Sequence, residues 1–168
     1  MKHIQKKICL LGDFAVGKTS LIRRFVEGRF DDRYLSSIGV KITRKTLERP
    51  DYTLNMLIWD LAGGDDFNDT RSGYLRGASG AMFVCDLTRA DTLNVFVKYV
   101  TQLREISPDA GIVLLANKAD LHDSRVIETK TLQAISEEFG VPFLLTSAKT
   151  GENVENAFSL LVEVLVKS

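Results

Sequence analysis

The chain has 168 residues, 45% of them hydrophobic, the size and content of one α/β domain with a substantial core and no room for a second. Lys plus Arg and Asp plus Glu each number 22, so the basic excess usual in nucleic-acid binders is missing and no such partner is expected. No apolar run approaches the roughly 20 residues that span a bilayer, and Met1-Lys2-His3-Ile4-Gln5-Lys6-Lys7 lacks the apolar centre of a secretory signal; a cytoplasmic protein is expected.

The first apolar run, Ile8 to Leu11, reads as a strand, and Leu21, Ile22, Phe25 and Val26 mark a helix. Between them stands Gly12-Asp13-Phe14-Ala15-Val16-Gly17-Lys18-Thr19-Ser20, which is Gly, four residues, Gly-Lys-Thr. Each fixed residue answers a need of a bound di- or triphosphate. Gly12 and Gly17 free the backbone to wrap, so that consecutive N–H groups from Asp13 to Ser20 point at anionic oxygens, aided by the positive end of the helix beginning near Lys18. Lys18 adds a full charge near the terminal phosphates, and the Thr19 hydroxyl is placed to ligate magnesium. A plain strand-to-helix turn is the bland alternative; the strand and helix that the motif requires on either side weigh against it.

Glu27 to Ser37 is polar and irregular, a first candidate mobile loop. Val40 to Glu48 and Leu54 to Asp60 read as strands joined across Arg49-Pro50-Asp51, hence an antiparallel hairpin. The stretch Leu61 to Gly80 carries Gly63, Gly64, Gly73, Gly77 and Gly80, a second mobile candidate in which Tyr74 and Leu75 anchor a short helix. Apolar runs at Ala81 to Cys85, Ile112 to Ala116 and Phe143 to Leu145 then alternate with helical stripes. The stripes are Leu93, Phe96, Val97, Val100, Leu103; Leu132, Ile135, Phe139; and Val154, Ala157, Phe158, Leu161, Leu165. This predicts an α/β fold: a six-stranded, mainly parallel sheet with one antiparallel strand and helices on both faces. Cys9 and Cys85 lie inside apolar runs, where a thiol serves as a small buried hydrophobe in a reducing compartment.

Open parallel sheets collect ligands at the carboxyl ends of their strands. There this chain places the phosphate loop, then Asp60-Leu61-Ala62-Gly63, then Asn117-Lys118-Ala119-Asp120, then Ser147-Ala148-Lys149. With these motifs in this order the chain resembles a Ras-superfamily small GTPase over essentially its whole length, a P-loop NTPase G domain. Tyr34-Leu35-Ser36-Ser37-Ile38-Gly39-Val40 and Trp59-Asp60 make it most similar to the Rab branch, with a prokaryotic member among the possibilities.

The resemblance implies GTP or GDP as ligand with Mg²⁺. Asp60 would hold the metal through water, the Gly63 N–H would meet the γ-phosphate, and Ser37 would ligate magnesium only with triphosphate bound. Ser37 stands where the family usually has Thr, so the hydroxyl ligand remains while closure of the first loop is less firmly packed. The Asp120 carboxylate can accept two hydrogen bonds from guanine that adenine cannot supply. Asn117 would brace base and loops, Lys118 and Lys149 would lay their stems along the ring, and the Ala148 N–H would meet the guanine oxygen beside Ser147. Phe30 would close the edge, and Tyr34 and Leu121 belong to the same nucleotide-contacting set. Alone, Asn117 to Asp120 would read equally well as a turn and helix cap.

Two departures bear on turnover. Where the family places a water-positioning Gln after Asp-x-x-Gly, this chain has Gly64, and Phe14 takes a phosphate-loop position that is otherwise Gly or small. With Lys18 and Gly63 the remaining catalytic elements, slow hydrolysis is expected; Asp65 or Asp66 is the weaker candidate to recruit the water. The expected function is a nucleotide switch, with loops of about residues 28 to 40 and 61 to 76 ordered by the γ-phosphate. The alternative is a pseudo-GTPase interaction module that stays loaded without cycling. An ATP-using P-loop kinase or motor would need a lid or acceptor domain and would lack Asn117 to Asp120.

Effector, exchange factor and activating protein are the implied partners, for a monomer. Ile42, Trp59 and Tyr74 match an apolar trio that Rab-like proteins present to effectors, although Ile42 and Trp59 could equally be buried under the second loop. Lys41, Arg44, Lys45 and Arg49, like Asp65, Asp66 and Asp69, read as a solvated face. The chain ends at Lys167-Ser168 without a cysteine tail, so no membrane contact is expected from it alone; either a natural tail is absent from this sequence or the protein works without one.

Overall fold

Alternation along the first strand sets the architecture. In the computed structural model, β1 (Lys2–Gly12) buries Ile8 and Leu10 on one side of a sheet and Cys9 and Leu11 on the other. The structure describes residues 2–28, 40–61 and 69–166, and for 69–71 the backbone alone. The remaining elements are α1 (Lys18–Glu27), β2 (Val40–Glu48), β3 (Tyr52–Leu61), α2 (Asp69–Tyr74), β4 (Gly80–Asp86), α3 (Asp91–Asn94), α4 (Phe96–Ile106), β5 (Gly111–Asn117), α5 (Thr129–Phe139), β6 (Phe143–Leu145) and α6 (Val154–Val166).

The six strands run in the order β2-β3-β1-β4-β5-β6. β2 is antiparallel to β3, with Val40 opposite Leu61 and Glu48 opposite Thr53, and the other pairings are parallel. The hairpin closes where the Arg49 N–H donates to the Tyr52 carbonyl at 2.9 Å. β1 reaches further back than the apolar run Ile8 to Leu11 suggests. Its polar start is held by backbone pairing with β3, from Lys2 opposite Tyr52 onward, rather than by burial.

Each face carries its own core. On one, α1 and α6 cover Ile8, Leu10, Met82, Val84, Val113 and Leu115, with the Phe25 and Phe158 rings stacked at 3.8 Å. On the other, Phe83 meets Phe96 edge-on at 5.0 Å, and Phe96 meets Phe139 in the same way at 5.3 Å, so α4 and α5 are keyed to the sheet by aromatic contacts. The single helical stripe from Leu93 to Leu103 divides into α3 and α4 at Val95. The first turn is pinned elsewhere: the buried Thr92 hydroxyl accepts from the Asp86 N–H at 2.9 Å and donates to the Arg89 carbonyl at 2.7 Å.

Both cysteines are fully buried and unpaired, and burial pushes the thiols up, Cys9 to about 11 and Cys85 to about 12. A thiol kept protonated and enclosed does not react. A disulfide reagent such as Ellman's should therefore label neither cysteine in the native protein and both after unfolding. Rapid native labelling of either would contradict the burial.

Among the described residues no helix is long and apolar enough to cross a membrane. On β2, Lys41 and Arg44 are exposed while Lys45 folds back to place its ammonium 5.4 Å from the Phe25 ring. Asp65 and Asp66, and the side chain of Asp69, lie outside the described residues.

Candidate functional site

The sheet order places the candidate site. From β1 the chain passes to the β2-β3 side of the sheet, and from β3 it crosses to β4 on the other side of β1, so the carboxyl end of β1 lies at a topological switch point. That end opens into the phosphate loop. Gly12 (φ +148°) and Gly17 (φ +105°) take left-handed conformations, and a Cβ would stand 2.4 Å from the Val84 carbonyl oxygen at the first and 2.2 Å from Asn117 Nδ2 at the second. Only glycine fits either position. Ala15 is also left-handed (φ 60°), backbone strain of the kind found at binding sites.

Lys18 opens α1 but is 6% exposed, because its Nζ turns back to the carbonyls of Gly12 (3.0 Å) and Asp13 (2.9 Å). Asp13 accepts from the Phe14 N–H at 2.8 Å, and the Phe14 ring is 50% exposed at the rim of the loop. Val16 is buried in the core, and Ser20 continues the first turn of α1. The Thr19 hydroxyl donates to Asp60 Oδ2 across 41 residues of sequence, Asp60 being buried at the end of β3. A hydroxyl and a carboxylate converging beside a phosphate loop are the hard oxygen donors that suit Mg²⁺.

A second cluster is built around Asn117. Buried at the end of β5, it donates from Nδ2 to the Val16 carbonyl (2.9 Å) and accepts at Oδ1 from the Thr146 hydroxyl (3.1 Å) and the Ala148 N–H (3.3 Å). One side chain thus ties the phosphate loop, β5 and the loop after β6 together. Asp120 Oδ1 accepts from the Ser147 hydroxyl at 2.7 Å, which aims the carboxylate, while Leu121 and Lys149 are exposed beside it. Lys118 is left-handed (φ 69°), and its Nζ reaches Asp86 Oδ2 at 2.8 Å.

Asp86 and Arg89 are the site neighbours that motif reading missed. Asp86 ends β4, the one central strand for which no motif was assigned, and that gap was itself the available signal. Burial works to raise the Asp86 pKa, but hydrogen bonds from Lys118, Thr88 and Arg89 outweigh it and hold the carboxyl below its ordinary value.

Phe30, Tyr34, Ser37, Gly63 and Gly64 lie outside the described residues. Of the apolar trio, Ile42 is 51% exposed opposite Trp59, whereas Trp59 and Tyr74 are half-buried with centroids 6.1 Å apart. The Lys7 ammonium lies 3.8 Å over the Trp59 ring and donates to the Arg76 carbonyl at 2.7 Å; burial lowers its pKa.

A family profile described as Ras family matches residues 7–167. The Ras-related protein RABD2c of Arabidopsis thaliana is 37% identical over 160 residues, covering 95% of this chain and 79% of that protein. RABD1 of the same plant is 39% identical over 153 residues (90% and 75%), and the GTP-binding protein YPTM2 of Zea mays is 38% identical over 153 residues (90% and 75%). These relationships, over a chain whose structure carries a switch-point phosphate loop, a buried Thr19–Asp60 contact and an Asn117-centred cluster, show that it belongs to the Ras family as a Rab-like small GTPase, a GTP-binding switch.

Proposed function

We propose that residues 1–168 form a single guanine-nucleotide switch domain that binds GTP and GDP with Mg²⁺ and hydrolyses GTP slowly. The observation that carries the reading is convergence: Lys18, the Thr19–Asp60 pair, Asn117 and the Ser147–Asp120 pair come from four strand ends to one edge of the sheet. Lys18 and the N–H groups from Asp13 to Ser20 bind the phosphates. Asp120 reads the guanine edge, Asn117 and Ala148 support it, and Lys118 and Lys149 flank the ring. Thr19 and Asp60 would hold Mg²⁺, with Ser37 joining in the triphosphate state; when bound, the ion supplies charge neutralisation at the phosphates. Effectors, an exchange factor and an activating protein complete the cycle, and the half-exposed Ile42 beside Trp59 and Tyr74 is the effector-facing surface.

Slow turnover follows from two positions. Gly64 has no side chain to orient the attacking water, and it loosens the loop that would hold a substitute. Phe14, half exposed at the loop rim, crowds the approach of an inserted arginine, whose help is worth roughly 10³ to 10⁵ in rate. Single-turnover hydrolysis with Mg²⁺ present should give about 10⁻⁴ s⁻¹ or less for the wild type, with a rise for Gly64→Gln. Wild type alone above about 10⁻² s⁻¹ would overturn the slow switch. No measurable turnover in wild type or Gly64→Gln would favour the loaded interaction module.

A further inference from the structure

The carboxyl ends of β1 and β5 are separated by β4 alone, and Asp86 at the end of β4 touches Lys118 on one side and, through Arg89, reaches the phosphate loop on the other. Val84 is paired with Gly12 and Asp86 with Asn117. Asp86 is fully buried with every acceptor direction in use: Oδ1 takes the Thr88 N–H (2.8 Å) and hydroxyl (2.7 Å), and Oδ2 takes Arg89 Nε (3.0 Å) and Lys118 Nζ (2.8 Å). From the same guanidinium, Arg89 Nη2 donates to the Phe14 carbonyl at 2.8 Å.

In a trans peptide the C=O and the following N–H point in opposite directions. A donor that holds the Phe14 carbonyl outward therefore turns the Ala15 N–H inward, and Asn117, by holding the Val16 carbonyl, does the same for Gly17. The Ala15 plane is the one that needs holding, since its left-handed φ of 60° is disfavoured for a residue with a Cβ. We propose that Arg89 is a positioning residue for nucleotide retention: anchored on Asp86 beside Lys118, it fixes the Phe14–Ala15 peptide so that the Ala15 N–H meets the phosphate beyond the α-position. Two cations on one carboxylate also leave a local positive charge facing the polyphosphate. Arg89 engages Asp86 through Nε and Phe14 through Nη2, two nitrogens of one planar fork, a geometry that the single nitrogen of a lysine does not reproduce.

This inference rests on the guanine-nucleotide reading, so the test includes controls for both. Dissociation of fluorescent GDP and ADP from wild type, Arg89→Ala and Arg89→Lys is followed with Mg²⁺ present, together with competition by GMP, which lacks the second phosphate. The Arg89 side chain is more than a third exposed, so both variants should fold. Arg89→Ala should release GDP roughly 10-fold faster or more, as expected for loss of one charged donor, while its affinity for GMP stays near wild type. Arg89→Lys should resemble Arg89→Ala. Equal weakening of GMP and GDP would mean a merely structural role and would overturn the proposal, as would unchanged GDP release or full rescue by lysine. Wild type that releases GDP as fast as ADP would overturn the guanine reading, and this inference with it.

Discussion

Asp120→Asn should exchange guanine for xanthine selectivity. The wild-type carboxylate is acceptor-only, suited to the ring N–H and exocyclic amine of guanine, and the Ser147 hydroxyl at 2.7 Å fixes the direction in which its remaining lone pairs point. An amide in that place presents an N–H₂ group toward the guanine amine, donor against donor, while opposite the carbonyl of xanthine the same group is matched. Sites built on such hydrogen bonds discriminate by about 10⁴ to 10⁵ when a buried partner is left unpaired, and a loss of GTP affinity on that scale is expected, with xanthosine triphosphate preferred. Competition binding of GTP, ATP and xanthosine triphosphate to wild type and variant measures it. ATP held as tightly as GTP by the wild type would defeat the assignment of Asp120 to the base.

Gly17→Ala should weaken nucleotide binding steeply for a reason that lies in the loop's closest neighbour. The added Cβ would fall 2.2 Å from Asn117 Nδ2, at a backbone φ of +105° that a side chain resists. Asn117 cannot swing clear without releasing the Val16 carbonyl, the Thr146 hydroxyl and the Ala148 N–H. Backbone strain of about 1 to 3 kcal/mol and an unsatisfied buried group costing about 1 to 3 kcal/mol together weaken GDP by roughly 30-fold to 10⁴-fold, at 1.4 kcal/mol per tenfold. Calorimetric titration with GDP, beside a thermal melt of the nucleotide-free protein, measures the effect. A variant that binds GDP as tightly as wild type would show that the contact is readily relieved.

Periodicity made the sheet and the long helices legible. β2 and β6 match their sequence bounds, β2 because it runs into the Arg49-Pro50-Asp51 turn and β6 because it is a short apolar run, and α5 covers the stripe Leu132, Ile135, Phe139. The polar half of β1 was not legible, since a strand held by ladder bonds to β3 has no need of apolar residues. The division of α3 from α4 was hidden for a different reason: both sides of Val95 keep an apolar stripe, and the break goes with a tertiary tie through Thr92. At the site, Lys18, Thr19, Asp60, Asn117 and Asp120 were readable because each is written in a motif of fixed spacing. Asp86-Leu87-Thr88-Arg89 is written like a helix-preceding turn, and in local terms it is one, with Thr88 closing back on Asp86. Its reach to Phe14 and Lys118 depends on partners 75 and 32 residues away, which no local spacing encodes.

The margins of the sheet bear on how the protein behaves in concentrated solution. β2 is nine residues long and lies at one edge, a length that would template a neighbouring chain if it were flat and apolar. It presents Lys41, Arg44 and Glu48 to solvent instead, so a second copy docking there would have to bury charge along the ladder. The opposite edge, β6, is three residues long and offers too short a ladder to recruit anything. Neither margin is a ready seed for fibrous assembly.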